Sequence, residues 1–163
     1  MCIRDSSNLT LLKNNTAPTG LTEAWILTGT SASAGTGYIY QNITINPGSS
    51  TNYTLSLYVY QGTAASIDLS GIFSGTSTVT SNINYVFATN TLTPSNANGG
   101  LLPINYGSQK TLVAGWYRIW MSIYDTNGAN NTLQWRLYVK GTAAGSSGNY
   151  SICLLYTSDA ADE

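Results

Sequence analysis

The stretch Thr51-Asn52-Tyr53-Thr54-Leu55-Ser56-Leu57-Tyr58-Val59-Tyr60 decides the fold. Successive side chains of a strand point to opposite faces. The run therefore divides into an apolar set, Tyr53, Leu55, Leu57 and Val59, and an outer set, Thr54, Ser56, Tyr58 and Tyr60. Two later runs divide in the same way. Over 116–124, Tyr117, Ile119, Met121 and Ile123 face inward, opposite Trp116, Arg118, Trp120, Ser122 and Tyr124. Over 132–140, Leu133, Trp135, Leu137 and Val139 face inward, opposite Gln134, Arg136, Tyr138 and Lys140. A period of two with one apolar face is the signature of a half-buried strand. Further strands are expected over 24–30, 38–45, 67–73 and 82–88, with weaker signals at 101–105, 111–113 and 150–152. Turn-forming residues fill 46–50, 94–100 and 125–131. The last of these, opening Asp125-Thr126-Asn127-Gly128, is expected to close a hairpin between the 116–124 and 132–140 strands. Short strands at this spacing predict an all-β sandwich or barrel.

Composition agrees and closes several routes. Thr, Ser, Asn and Gly fill 73 of 163 positions, and charged residues are 8% of the chain against about 25% in an ordinary globular protein. Residues that favour helices are scarce, which excludes a helical bundle. A net charge of −1 gives no basic surface for nucleic acid. The chain has no His, so Ser-His-Asp, Cys-His and His-ligated zinc chemistry are closed. No apolar run approaches the ~18 residues of a membrane-spanning helix.

Both ends differ in character from the middle. Residues 1–6, Met1-Cys2-Ile3-Arg4-Asp5-Ser6, back-translate to a sequence whose reverse complement encodes most of Cys153-Leu154-Leu155-Tyr156-Thr157-Ser158. An inverted repeat at the two ends is what transposase-based library tagging leaves, and 159–163 fits the adaptor extension that follows it. The expectation is that 1–6 and 153–163 are translated sequencing adaptor, 7–23 a lead-in strand and linker, and 24–152 a sandwich domain of a metagenomic fragment. Cys2 and Cys153 then carry no disulfide meaning. The charges left are Lys13, Lys110, Arg118, Arg136 and Lys140 against Glu23, Asp68 and Asp125.

Asn52-Tyr53-Thr54-Leu55-Ser56-Leu57-Tyr58-Val59, then Gln61-Gly62-Thr63-Ala64, and later Gly115-Trp116-Tyr117-Arg118 resemble the carbohydrate-binding-module-like jelly rolls of phage tail-fibre and other virion structural proteins. The resemblance covers roughly residues 25–140 and departs in lacking the Glu-containing strand that often closes such modules. It implies a two-sheet antiparallel β-sandwich of the galactose-binding, jelly-roll kind, with no catalysis and sugar or partner binding on a sheet face or at loop tips. It implies no cofactor, although a structural calcium occurs in some such modules. It also implies a virion or extracellular setting, with a cell-surface glycan or polysaccharide and neighbouring subunits of a homo-oligomeric fibre as partners, and neither nucleic acid nor membrane insertion.

Sugar recognition stacks an aromatic ring on the apolar face of a pyranose while amides and charged groups bond its hydroxyls. The outer sets supply Tyr58, Tyr60, Arg118, Trp120, Gln134, Arg136 and Tyr138 as candidates for this aromatic and polar surface. Their competing role is cross-strand pairing that merely stabilises the sheets. Trp25 and Trp135 are expected in the core, and Arg118 is expected to pair with Asp68 or Asp125 or to take part in binding. A glycosidase needs two carboxylates at a set separation, which three scattered acids do not suggest. Asp125-Thr126-Asn127-Gly128 lacks the later bidentate Glu of a calcium loop. The expectation is weak, multivalent glycan recognition, and its alternative is a structural spacer or trimer-packing module whose aromatic face is covered by a neighbour.

Overall fold

The computed structural model describes residues 5–7, 9–16, 20–21, 24–29, 37–48, 51–125, 128–140 and 151–156. These residues form strands only: β1 (Asp5–Ser7), β2 (Leu9–Asn15), β3 (Ala24–Gly29), β4 (Tyr38–Thr44), β5 (Tyr53–Gln61), β6 (Ser66–Ser74), β7 (Val79–Val86), β8 (Thr91–Ala97), β9 (Asn105–Lys110), β10 (Trp116–Ile123), β11 (Thr132–Lys140) and β12 (Ser151–Tyr156). They build two six-stranded sheets. Sheet I has the order β1-β4-β11-β6-β7-β8 and sheet II the order β2-β3-β12-β5-β10-β9. All pairings among the described residues are antiparallel. The protein is thus an all-β, two-sheet antiparallel sandwich.

The core lies between the sheets and follows from the alternation of their strands. Leu55, Leu57 and Val59 of β5 and Ile119, Met121 and Ile123 of β10 bury against Leu133, Trp135, Leu137 and Val139 of β11 and Ile67, Leu69 and Phe73 of β6. Each such side chain contributes roughly 1.5–3 kcal/mol through burial. Trp135 is a core residue, as expected, and Trp25 packs half-buried against the same cluster. Trp135 sits directly opposite Gly71 in the β11–β6 register. A Cβ on Gly71 would overlap the Ile123 side chain and the Trp135 ring, so the missing side chain leaves the volume that the indole fills.

The strands at 116–124 and 132–140 do not form the expected hairpin. β10 pairs with β5 and β9 in sheet II, whereas β11 pairs with β4 and β6 in sheet I. Alternation states which face of a strand is buried and not which strand is its neighbour. Two apolar faces meeting across the sandwich leave the same pattern as two side by side. The connection instead crosses between sheets and is closed by polar groups. Asp125 accepts from the Asn130 backbone N at 3.1 Å and from its Nδ2 at 2.9 Å. Asn130 Oδ1 in turn accepts from the Ser77 N at 3.2 Å, tying the crossover to the β6–β7 turn.

Two edge strands depart from expectation: β8 falls on an expected turn, and β9 lies between the weak signals at 101–105 and 111–113, which apart from Asn105 are not strands. β8 occupies most of 94–100 as well as 91–93, and it carries Pro94. An edge strand tolerates proline because the absent N–H can lie on its unpaired side. β9, Asn105-Tyr106-Gly107-Ser108-Gln109-Lys110, has no apolar alternation because most of it is exposed at the other edge. Residues 151–156 pair with β3 and β5 although 153–156 read as adaptor. Main-chain pairing requires an extended segment without proline and is otherwise indifferent to sequence.

Tyr85 is fully buried, and its hydroxyl donates to Asn90 Oδ1 at 2.6 Å. Burial and the neighbouring Tyr117 push its pKa from 10.0 up to about 12. The fold therefore favours the neutral phenol. The associated stability is complete below pH 10 and is lost as pH climbs toward 12. Urea midpoints are expected to fall between these pH values in the parent chain and to fall less in Tyr85→Phe. Separately, Gly71→Val should cost about 1–3 kcal/mol by overpacking; unchanged denaturation would show that Trp135 does not need the space.

Candidate functional site

The seven candidate residues divide between the two outer faces of the sandwich. Tyr58, Tyr60, Arg118 and Trp120 lie on sheet II, and Gln134, Arg136 and Tyr138 on sheet I. No single face collects them.

On sheet II the resembling motifs are cross-strand partners: Trp116 faces Tyr60, Arg118 faces Tyr58, and Trp120 faces Ser56. Gly115 has φ +82°, and a Cβ there would overlap the Tyr60 ring. Tyr60 is thereby drawn over Trp116, with ring centroids 5.7 Å apart. Trp116 is only 4% exposed and clusters with Ala24, Ile26 and Tyr58. Further along, Arg118 Nε donates to Ser56 Oγ at 2.9 Å, and its guanidinium stands 5.8 Å from the centre of the Trp120 ring. That indole lies against the backbone of Gly107, where a Cβ would overlap it. Thr54 and Ser122 hydroxyls bond each other at 2.8 Å. Tyr58, Arg118 and Trp120 are half-buried on this face, whereas Thr54 and Tyr60 are exposed.

Sheet I presents a different surface. Gln134 Nε2 donates to Asn42 Oδ1 at 2.7 Å, and Arg136 Nε donates to Gln134 Oε1. Arg136 Nη1 donates to the Tyr138 hydroxyl at 3.1 Å, and the guanidinium sits 5.0 Å from the centre of the Tyr38 ring. Tyr38 itself leans on Tyr138, with centroids 5.1 Å apart. The three candidates of this face thus belong to one network that holds the guanidinium in place.

Beside that network a groove of about 440 Å³ runs across β11, β6, β7 and β8. Asp68, Asn82 and Asn84 line it together with Arg136, Tyr138 and Lys140. Asp68 Oδ1 accepts from Asn84 Nδ2, and Asp68 Oδ2 pairs with Lys140 Nζ. Asn82 makes no side-chain hydrogen bond among the described residues. These acidic and amide groups were not among the sequence candidates. Alternation over 67–73 and 82–88 puts them on an outward face, but only the order β11-β6-β7 sets that face beside Arg136. The carboxylate chemistry is settled locally as well. Asp68 bonds Lys140 and Asn84, whereas Asp125, 7% exposed, closes the crossover. Among the described residues no group of three or more His, Cys, Asp or Glu side chains comes together to hold a metal.

No family model matches the chain, and no curated protein matches it. A solved structure described as "CBM4 structure and function" aligns over 93% of this chain and 77% of that one, at 15% sequence identity and a TM-score of 0.47.

The two carboxylates should respond differently to removal. Asp125→Ala strands the buried Asn130 and is expected to cost about 1.5–3 kcal/mol in urea denaturation. Asp68→Ala breaks a pair whose side chains are 21% and 35% exposed and should cost at most about 1 kcal/mol. A large loss in Asp68→Ala would make it a structural strut rather than a surface group available to a ligand.

Proposed function

We propose that this chain is a non-catalytic carbohydrate-binding module that holds a polysaccharide along the outer groove of sheet I. The observation that carries the reading is the groove's inventory: a volume of about 440 Å³ lined by the amides of Asn82, Asn84 and Asn98, a tyrosine and the charged Asp68, Arg136 and Lys140. Ligand clefts fall in this size range and fix their ligands through a few rigid polar groups. Sugar hydroxyls need donors and acceptors in close succession, and Asn82 and Asn84 supply both. Tyr138 adds an aromatic ring at the border. The groups stand on paired strands, so little conformational entropy is lost when a ligand binds.

A catalytic dyad is not supported, because Asp68 and Asp125 are each engaged with their own partners and serve different parts of the fold. Binding to single sites of this kind is weak. Repetition in a fibre raises it, because linked sites see one another at effective concentrations of roughly millimolar. On the resemblance of 52–64 and 115–118, the proposed setting is a phage tail-fibre or other virion or extracellular structural protein, assembled as a homo-oligomer and facing a cell-surface glycan.

A second reading is a spacer or packing module without a ligand. It is favoured by the exposed Leu101, Leu102 and Ile104 before the edge strand β9 and Leu112 and Val113 after it, which a neighbouring subunit would cover. A glycan-array screen of the multivalently displayed chain separates the two. Asn82→Ala/Tyr138→Ala is expected to abolish binding, and Tyr58→Ala/Trp120→Ala to retain it. The opposite pattern would move the site to sheet II, and no binding by any folded form would favour the packing module.

A further inference from the structure

We infer that the glycan held in this groove is anionic, a polymer bearing carboxylate or sulfate groups, with Arg136 as the residue that reads the charge. The inference rests on the groove reading above and deepens it. Three charged side chains line the groove: Asp68, Arg136 and Lys140. Both oxygens of Asp68 are engaged, one by Asn84 and the other by Lys140, so the lysine and the aspartate neutralise each other. Among the described residues Arg136 is paired with no carboxylate. Its described partners are neutral: Gln134 Oε1, the Tyr138 hydroxyl and the face of Tyr38.

The guanidinium is also held in a fixed attitude. Two of its N–H groups are anchored within sheet I and its flat face rests near Tyr38, leaving three of five donors to a ligand. A planar fork of this kind matches a carboxylate or sulfate through paired, charge-assisted hydrogen bonds. Because its hydroxyl oxygen accepts from Arg136, Tyr138 directs its own O–H elsewhere, as a donor to the same anion or a flanking hydroxyl. Asn82 is available for a neutral hydroxyl further along the groove. Arg136 brings to the groove a positive charge that its described partners do not neutralise.

The test compares polygalacturonate, its fully methyl-esterified form, dextran sulfate and a neutral panel of xylan, mannan and β-glucan in affinity electrophoresis at fixed salt. The parent chain is expected to bind polygalacturonate or dextran sulfate at least about tenfold more tightly than the ester or the neutral polymers. Which of the two it prefers identifies the anion. Arg136→Gln, checked by thermal melting, should lose that preference, and Arg136→Lys should recover part of it because it restores charge without the fork. Equal binding of polygalacturonate and its ester, or binding of the neutral panel alone, would overturn the anionic assignment while leaving carbohydrate binding in place. Failure of every polysaccharide would overturn both.

Discussion

Each sheet buries one face against the other, and the rest of the structure depends on that constraint. A strand has two faces, so burying Leu55, Leu57 and Val59 or Leu133, Trp135, Leu137 and Val139 forces their intervening residues outward. In a chain with 8% charged residues, those outward positions are hydroxyls, amides and aromatic rings. The sandwich thereby carries two polar surfaces on opposite sides.

The two surfaces have been resolved differently. On sheet II several residues engage one another: Tyr60 leans on Trp116, Arg118 bonds Ser56, and Trp120 lies on the bare backbone of Gly107. On sheet I the network from Asn42 through Gln134 to Arg136 and Tyr138 ends beside a groove whose cations and amides retain bonding capacity. The placement proposed on sheet I weighs unspent hydrogen-bonding capacity above aromatic content, because rings on adjacent strands can cover each other, as Tyr60 does Trp116.

Local pattern was readable and spatial order was not. The alternation in 51–60, 116–124 and 132–140 places inner and outer residues correctly, and the Tyr53–Val59 and Gly115–Arg118 motifs prove to lie on paired strands. The sequence does not reveal that β10 and β11 belong to different sheets, because an apolar face looks the same whether its neighbour is beside it or across the core. Strand β8 was obscured by Pro94 and its polar edge composition, and β9 by its exposure. Trp116 points outward yet is buried, because Gly115 lets the Tyr60 ring close over it. The Asp68, Asn82 and Asn84 part of the groove depends on β6 lying next to β11, a long-range pairing with no local signal.

Backbone amide and Trp indole NMR signals followed during titration with an oligogalacturonate test the proposed placement of the ligand on the outer face of sheet I. Shifts are expected at Ser70, Asn82, Asn84, Arg136 and Tyr138, with the Trp120 indole unmoved. Shifts confined to Tyr58, Tyr60, Arg118 and Trp120 would contradict that placement.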